Sequence, residues 1–547
     1  MAHWRAWLRR DLVGWLLVAI AVVTRTASRA KSMTTFDAGL HAMGLVNYDI
    51  PSGQPHPPGY PLVMLAGRVV KVFVGDPLAA MVWLSILCTA VAVFLLWRLG
   101  ERIGGRWAGV GAATLFILSP MALFNGSVGL TYAAEAATST AAALAAWRAG
   151  EQPSRNRLLV LGVVLAVAVG VRPSSLLFLA PLGLWPALLR TTWRERGSRI
   201  AWVAAAAAPT VLVWLVPMLA FGGGVAAVLS ANRVQTATVI LRDTVFTEGW
   251  PIVLDNLRHL AHYARYELHA LPWLLCALIV ALAFGGPRVR ARLAAHRIKV
   301  AFLALWMAPA LLFYALIYVG WPVYPSGYLM VILPAVALAV AAPTVAALRL
   351  SDHGRRRWAG LAVVALVAVP LAFAPSAWSH ATEPIRAGDA WAASWDGFED
   401  IFPANETALV AFESWQHIKL RNPEYLAWVR ARYDHREDET YTRGIETQGG
   451  RDSPRWFDLL AMNPETAPMH EIPPWVKRIV VHEGHPGIGP ETIVKDSVAL
   501  NETTIATGRV VRWFVPNQEW RAIESYFDGV DPEFSESRLR AQRDVAG

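Results

Sequence analysis

Cysteine and charge are both scarce in this chain. Its 547 residues include two cysteines, Cys88 and Cys276, each inside an apolar block. That excludes a disulfide framework and leaves the redox compartment open. Charged residues make up 17% of the chain, against roughly 25% in ordinary soluble domains. The apolar residues come in long blocks rather than periodic stripes, which excludes a soluble protein built on one large core. No nucleotide-binding loop is visible. Nor is there a clear internal repeat, or a pair of spans broken by glycine or proline in matching halves. No small-residue cleavage site precedes Arg25, so the basic N-terminus and the apolar run after it read as a retained first span.

What is present is a series of apolar segments. They lie at about 11–28, 78–97, 107–124, 131–147, 158–171, 174–189, 200–221, 269–286, 299–319, 327–348 and 358–376. Roughly eleven spans of bilayer length follow. The fifth and sixth are separated only by Arg172-Pro173. The net charge of +9 invites a nucleic-acid partner, but the placement of the basic residues argues for none. Clusters at Arg5 to Arg10, Arg98 to Arg106, Arg148 to Arg157, Arg190 to Arg199, Arg288 to Lys299 and Arg349 to Arg357 fall on one side if the N-terminus is cytoplasmic.

Three larger segments then lie outside: about 29–77, about 222–268, and a tail from about 377. In the first, PLVMLAGRVVKVFV reads as an amphipathic helix at the membrane surface. The tail is polar, with strand-like runs TALVAF, RIVVHE, VKDSVAL and TTIATGRVVRWFV, and a hairpin expected to turn near Asn501-Glu502. The expected architecture is an all-α polytopic membrane domain over 1–376 and a small extracytoplasmic α+β domain over 377–547.

The first outer segment carries SGQPHPPGYP at 52–61. Pro57 and Pro58 fix their own φ, and each restricts the residue before it, so the His56 imidazole points in a set direction. Gly59 allows a close approach by a ligand or another backbone. An imidazole held this way could bond a phosphate, or the stretch could be a plain turn into the surface helix. Upstream, Asp37 and His41 share a face if TTFDAGLHAMG is helical. A carboxylate near the interface is a functional candidate, or else a helix cap in competition with Thr34 and Thr35. Tyr132 and Glu135 stand at the outer end of the fourth segment, and Arg172 between the fifth and sixth. An arginine there either meets an anion or anchors at the interface by snorkelling. Tyr324 and Tyr328, in GWPVYPSGYLM, read first as interface aromatics.

A span, an outer loop with an acidic residue and then His-Pro-Pro-Gly together resemble the GT-C superfamily of integral membrane glycosyltransferases. The resemblance is to the dolichyl-phosphate-mannose protein mannosyltransferase-like group and its bacterial relatives. Asp37 and His56-Pro57-Pro58-Gly59-Tyr60-Pro61 fit that pattern, and Tyr132-Ala-Ala-Glu135 is similar to a second short motif. Trp321 to Tyr328 resembles a late outer loop, and the likeness covers about residues 10–376. It implies a polyprenyl-phosphate-sugar donor in the membrane, an extracytoplasmic acceptor (protein, glycan or lipid), and an inverting single displacement. In that scheme Asp37 is the general base. His56, with Arg172 or an outer-loop arginine such as Arg233 or Arg242, holds the phosphate, while His41, Tyr60, Tyr132, Glu135 and Tyr328 line the substrate. Many relatives have a second acid where this chain has Ala38 or Leu40, so no metal or other cofactor is indicated. Two other functions stay open: a transporter or flippase of a lipid-linked substrate, and an inactive scaffold of the same fold.

Overall fold

The structure is a computed structural model that describes residues 2–51, 53–189, 191–236, 240–241, 244–266, 268–269, 296–317, 327–348, 356–412, 415–422, 424–430, 456–458, 471–482, 494–495, 497–517 and 522–526. The chain divides into two compact units. The first comprises Met1–Ala30, Tyr60–Ala220 and Val239–Ile385, and the second Lys31–Gly59, Phe221–Thr238 and Arg386–Gly547.

The first unit is helical. Among the described residues, three helices are long and apolar enough to cross a membrane: Pro77–Gly104, Trp193–Phe221 and Arg297–Leu316. Shorter apolar helices cover Arg106–Leu118, Ser175–Leu188 and Leu333–Val345. Apart from the eighth expected segment, which lies almost wholly outside the described residues, each expected segment falls on helix. The third is broken in two, as Arg106–Leu118 and Pro120–Asn125, because Pro120 supplies no N–H and pushes Ser119 to extended backbone. The surface segment forms the helix Pro61–Val74, on which Val72 and Phe73 are more than 80% exposed, as a membrane-bathed face would be.

Small residues set the helix packing. A Cβ on Gly100 would stand 2.5 Å from the Gly109 Cα, so helices Pro77–Gly104 and Arg106–Leu118 meet backbone to backbone. Ser139 donates to the Val331 carbonyl at 2.6 Å and accepts from the Trp306 indole at 2.7 Å. This buried bond pair ties the Tyr132–Glu151 helix to the Arg297–Leu316 helix and to the short 3-10 turn Tyr328–Val331. The basic loops also gather. Arg148 is within electrostatic reach of Arg98, Arg102 and Arg157, while Arg98 pairs with Asp11 and Arg102 with Glu151.

The second unit holds a six-stranded sheet of order β3-β2-β1-β4-β6-β5, with β1 Thr407–Phe412, β2 Leu426–Arg430, β3 Trp456–Asp458, β4 Arg478–His482, β5 Asn501–Thr504 and β6 Val510–Phe514. β1 to β4 are parallel neighbours, and β6 and β5 join antiparallel. The helix Trp415–Arg421 makes the crossover from β1 to β2. After Thr407, TALVAF is apolar on both faces because both are covered: Leu409 and Ala411 enter one core, Ala408 and Val410 the other.

Three expectations change. VKDSVAL forms no strand among its described residues. The hairpin turns at Ile505–Arg509 instead of near Asn501-Glu502, because Gly508 takes φ +83° there and its N–H reaches the Ile505 carbonyl at 2.9 Å. The change of composition at 376/377 does not break the chain, since one helix runs from Arg356 to Ala393. The second unit also takes in part of the first outer segment: Leu40 and Met43 belong to the same core as Leu409 and Val480.

Candidate active site

In the second unit, TTFDAGLHAMG becomes the helix Phe36–Val46. Thr35 is its N-cap and accepts from the Ala38 N–H at 3.2 Å, so the cap role falls to Thr35 and Asp37 is left with its carboxylate uncommitted to capping. The loop that follows folds on itself. Asp49 and Gln54 exchange both backbone hydrogen bonds, and the Tyr48 hydroxyl donates to the Gly59 carbonyl at 2.9 Å. Gly59 takes φ +96°, and the space a Cβ would need is filled by the Ile50 side chain. Its small size therefore serves the loop's own packing, where the sequence had left room for a ligand or another backbone.

This fold brings His56 to Asp37. The imidazole Nε2 is 3.7 Å from the carboxylate Oδ1, and the His41 ring stacks at an angle on His56 with centroids 5.4 Å apart. His56 Nδ1 is 2.7 Å from the Pro57 carbonyl oxygen. A carbonyl only accepts, so Nδ1 carries a proton. Nε2 then faces a carboxylate, and the contact is attractive when a second proton sits on Nε2 or on Asp37. Asp37 keeps more than a third of its side chain exposed, while His41 beneath it is buried. Of the outer-loop arginines, Arg233 lies exposed on the helix Val225–Gln235, which follows the Gly222 carbonyl that accepts from Ile50 N–H. Arg242 lies outside the described residues.

In the first unit a second group forms around Arg172, the residue that ends the helix Arg155–Val171. Its guanidinium is 3.6 Å from the Glu135 carboxylate, 3.5 Å from the Thr131 hydroxyl, and 4.4 Å from the centre of the Tyr132 ring. Glu135 is fully buried, and Arg172 is 14% exposed. The arginine is therefore an interior group with its own counter-ion, and the snorkelling reading does not hold. Tyr328 packs edge-on against Tyr132, and Tyr314 packs on Tyr328. Gly327 makes room for the Tyr132 ring. Tyr60 and Tyr314 are also within electrostatic reach of the guanidinium. Tyr60 is the N-cap of Pro61–Val74 and holds a left-handed backbone at φ 43°. The sequence reading missed Tyr314 and Thr131. A hydroxyl in the apolar run that follows Lys299 in the helix Arg297–Leu316 was the available signal for the first; the second had none. Trp321 to Ser326, including Tyr324, lie outside the described residues.

A model of the dolichyl-phosphate-mannose-protein mannosyltransferase family matches residues 55–221. That stretch is less than half of the chain; it includes His56, Tyr60, Tyr132, Glu135 and Arg172 and stops short of Asp37. No curated protein sequence matches the chain. The fold is similar to that of ArnT from Cupriavidus metallidurans in two crystal structures. The apo form gives a TM-score of 0.57 at 13% identity over 92% of this chain and 98% of ArnT. The form bound to undecaprenyl phosphate gives 0.54 at 13% identity over 91% and 98%. The resemblance to GT-C membrane glycosyltransferases therefore holds on two counts: the mannosyltransferase family model from residue 55 to 221, and the fold along nearly the whole chain.

Proposed function

We propose that this protein is a membrane glycosyltransferase that moves a sugar from a polyprenyl-phosphate-linked donor to a hydroxyl acceptor outside the membrane. The observation that carries this reading is the Asp37–His56 pair, with the carboxylate on the helix Phe36–Val46 and the imidazole on the proline-locked loop that opens the family match. The undecaprenyl phosphate bound by ArnT supports the donor class. In the reaction the acceptor oxygen attacks the anomeric carbon, its proton passes to Asp37, and the bond from that carbon to the phosphate oxygen breaks with its electron pair. One base suffices because the phosphate leaves as an anion, and a single displacement inverts the anomeric centre. The scheme is written without a metal ion.

His56 sits beside the base and steadies the Asp37 carboxylate, a role the geometry supports more directly than the phosphate contact read from the sequence. Arg172 is the cation for the donor phosphate, with the tyrosines around it shaping its approach and Glu135 holding it in place. The orientation that matches the basic loops puts the N-terminus in the cytoplasm and the sheet outside, at a plasma or inner membrane.

The test is turnover by the purified chain in lipid nanodiscs with a polyprenyl-phosphate monosaccharide, with products read by mass spectrometry. Wild type should give a glycosylated acceptor, and Asp37→Asn should lower kcat by about 10²–10⁴ while keeping the fold. Asp37→Asn activity within a few-fold of wild type would remove Asp37 as the base. No product from wild type with any donor would favour transport or an inactive scaffold.

A further inference from the structure

The helix that carries Asp37 is held from below by the sheet side of its own unit, and one carboxylate does the pinning. Asp389 stands near the end of the helix Arg356–Ala393. Its Oδ1 accepts from the Lys31 N–H at 3.0 Å, the Ser32 N–H at 2.8 Å and the Ser32 hydroxyl at 2.8 Å. Arg421, the last residue of the β1–β2 crossover helix, donates to the Lys31 carbonyl at 3.2 Å. Two consecutive residues, six and five positions ahead of the base, are thus fixed just before the Thr35 cap.

The helix itself is gripped on one side. Phe36, Leu40 and Met43 pack with Trp391, Trp395, Phe398 and Leu409. At about 100° per residue, that stripe lies roughly a third of a turn from the Asp37–His41 face. The stripe is in the core, and Asp37 stays more than a third exposed.

The sheet shows why this grip is available. β2 lies on one side of β1 and β4 on the other, so the carboxyl ends of β1 and β4 diverge at a switch point, where open α/β sheets place their ligands. Here the chain's own side chains stand at that point. His482, the last residue of β4, stacks on Trp395 with centroids 3.7 Å apart. His417, in the crossover helix after β1, packs edge-on against Trp391. Trp391 and Trp395 follow Asp389 by two and six residues, so the segment that fills the switch point also carries the anchor for the base-bearing helix.

We infer that Asp389 is a positioning residue for Asp37: by fixing Lys31 and Ser32 on the sheet domain, it sets the register and depth of the helix that presents the base. The inference rests on Asp37 being the base. Oriented general bases lose rate steeply when displaced by about 1 Å, on the order of 10²-fold. Loss of the anchor should therefore act on kcat and spare donor binding.

The experiment uses the full chain in nanodiscs and compares Asp389→Ala, Asp389→Asn and Ser32→Ala with wild type and with Asp37→Asn. Asp389→Ala should lower kcat by about 10- to 100-fold and leave the donor KM within about two-fold. Asp389→Asn keeps a carbonyl oxygen that accepts the same N–H bonds and should recover most of the rate, which a requirement for the charge would not allow. Ser32→Ala removes one bond of three and should cost kcat a few-fold, which keeps the test in force if Asp389→Ala does not fold. Amide exchange over residues 33–46 should rise at least about ten-fold in Asp389→Ala or, failing that, measurably in Ser32→Ala. This readout needs no turnover, so it judges the anchor even if the glycosyltransferase reading fails. Unchanged exchange overturns the inference. So does wild-type kcat in Asp389→Ala beside a dead Asp37→Asn, or an Asp389→Asn as slow as the alanine variant.

Discussion

Glu135→Gln separates the charge of the Arg172 pair from its shape. Glutamine keeps the size and an accepting oxygen, so the helix Tyr132–Glu151 need not repack. What goes is one negative charge 3.6 Å from a guanidinium, at a position with no solvent contact. With an effective dielectric of about 20, two unit charges at that distance attract by about 4–5 kcal/mol. Leaving one member of a buried ion pair uncompensated costs about 3–5 kcal/mol in general, so both routes give the same order. The variant should unfold several degrees earlier in a detergent melt. If Arg172 is the cation for the donor, polyprenyl phosphate supplies the missing charge. The lipid should then bind Glu135→Gln more tightly than wild type, by about ten-fold or more if it recovers only about 1.4 kcal/mol of the loss, and should raise the variant's melting point further than wild type's. The assay is a thermal melt against titrated undecaprenyl phosphate, with a neutral polyprenol as control. Wild-type stability with a wild-type lipid response would refute the reasoning, since the pair would then carry no charge that a phosphate could replace. Loss of stability with no extra lipid response would leave the pair intact as structure and remove Arg172 from the phosphate.

Three further outcomes are expected. His56→Ala should lower kcat by about one power of ten through loss of the ionic contact with Asp37, 3.7 Å away, and His56→Lys should restore part of it; an effect confined to the donor KM would return His56 to the phosphate. A cysteine placed at the exposed Ser497 should react with an impermeant maleimide in intact cells, and protection there would overturn the outward orientation of the sheet. Tyr60→Gly should lower stability by about 1–3 kcal/mol despite relieving its backbone; a glycine variant as stable as wild type in denaturant would refute this.

Much of the site was legible because it is local. Proline geometry fixes His56 from sequence alone, and the spacing of Asp37 and His41 needs only a helix to put them on one face. The contact of His56 with Asp37 across nineteen residues was not read from the sequence, which assigned the two separate roles; it forms when the loop between them closes. The Arg172–Glu135 pair was not legible. Both residues were candidates, but a separation of thirty-seven residues is bridged only when the helices Tyr132–Glu151 and Arg155–Val171 pack, and no periodicity reports that. The bonds from Asp389 to Ser32 span 357 residues and left no trace at all. The hairpin was misplaced for a simpler reason. Asn-Glu reads as a turn and Thr-Gly as mid-strand, until the need for a positive φ selects Gly508.

Tyr60 shows how the loop settles a local conflict. A non-glycine residue in the left-handed region costs roughly 1–2 kcal/mol, and Tyr60 stands there directly after Gly59, itself at φ +96°. Glycine at position 60 would remove that cost. Against it stands the burial of the tyrosine ring, which is 4% exposed; burying a large side chain is worth about 1.5–3 kcal/mol, and deleting an aromatic one leaves a cavity that costs more. The ring therefore outweighs the backbone. The turn still needs its sharp bend, and the burden of that falls on Gly59, whose missing side chain makes room for Ile50, and on the Tyr48 hydroxyl, which holds the Gly59 carbonyl. Pro61 then begins the next helix with φ already set, where a missing N–H costs nothing. A loop built this way keeps few alternative states, which is what the proposed pairing of His56 with the Asp37 carboxylate would require.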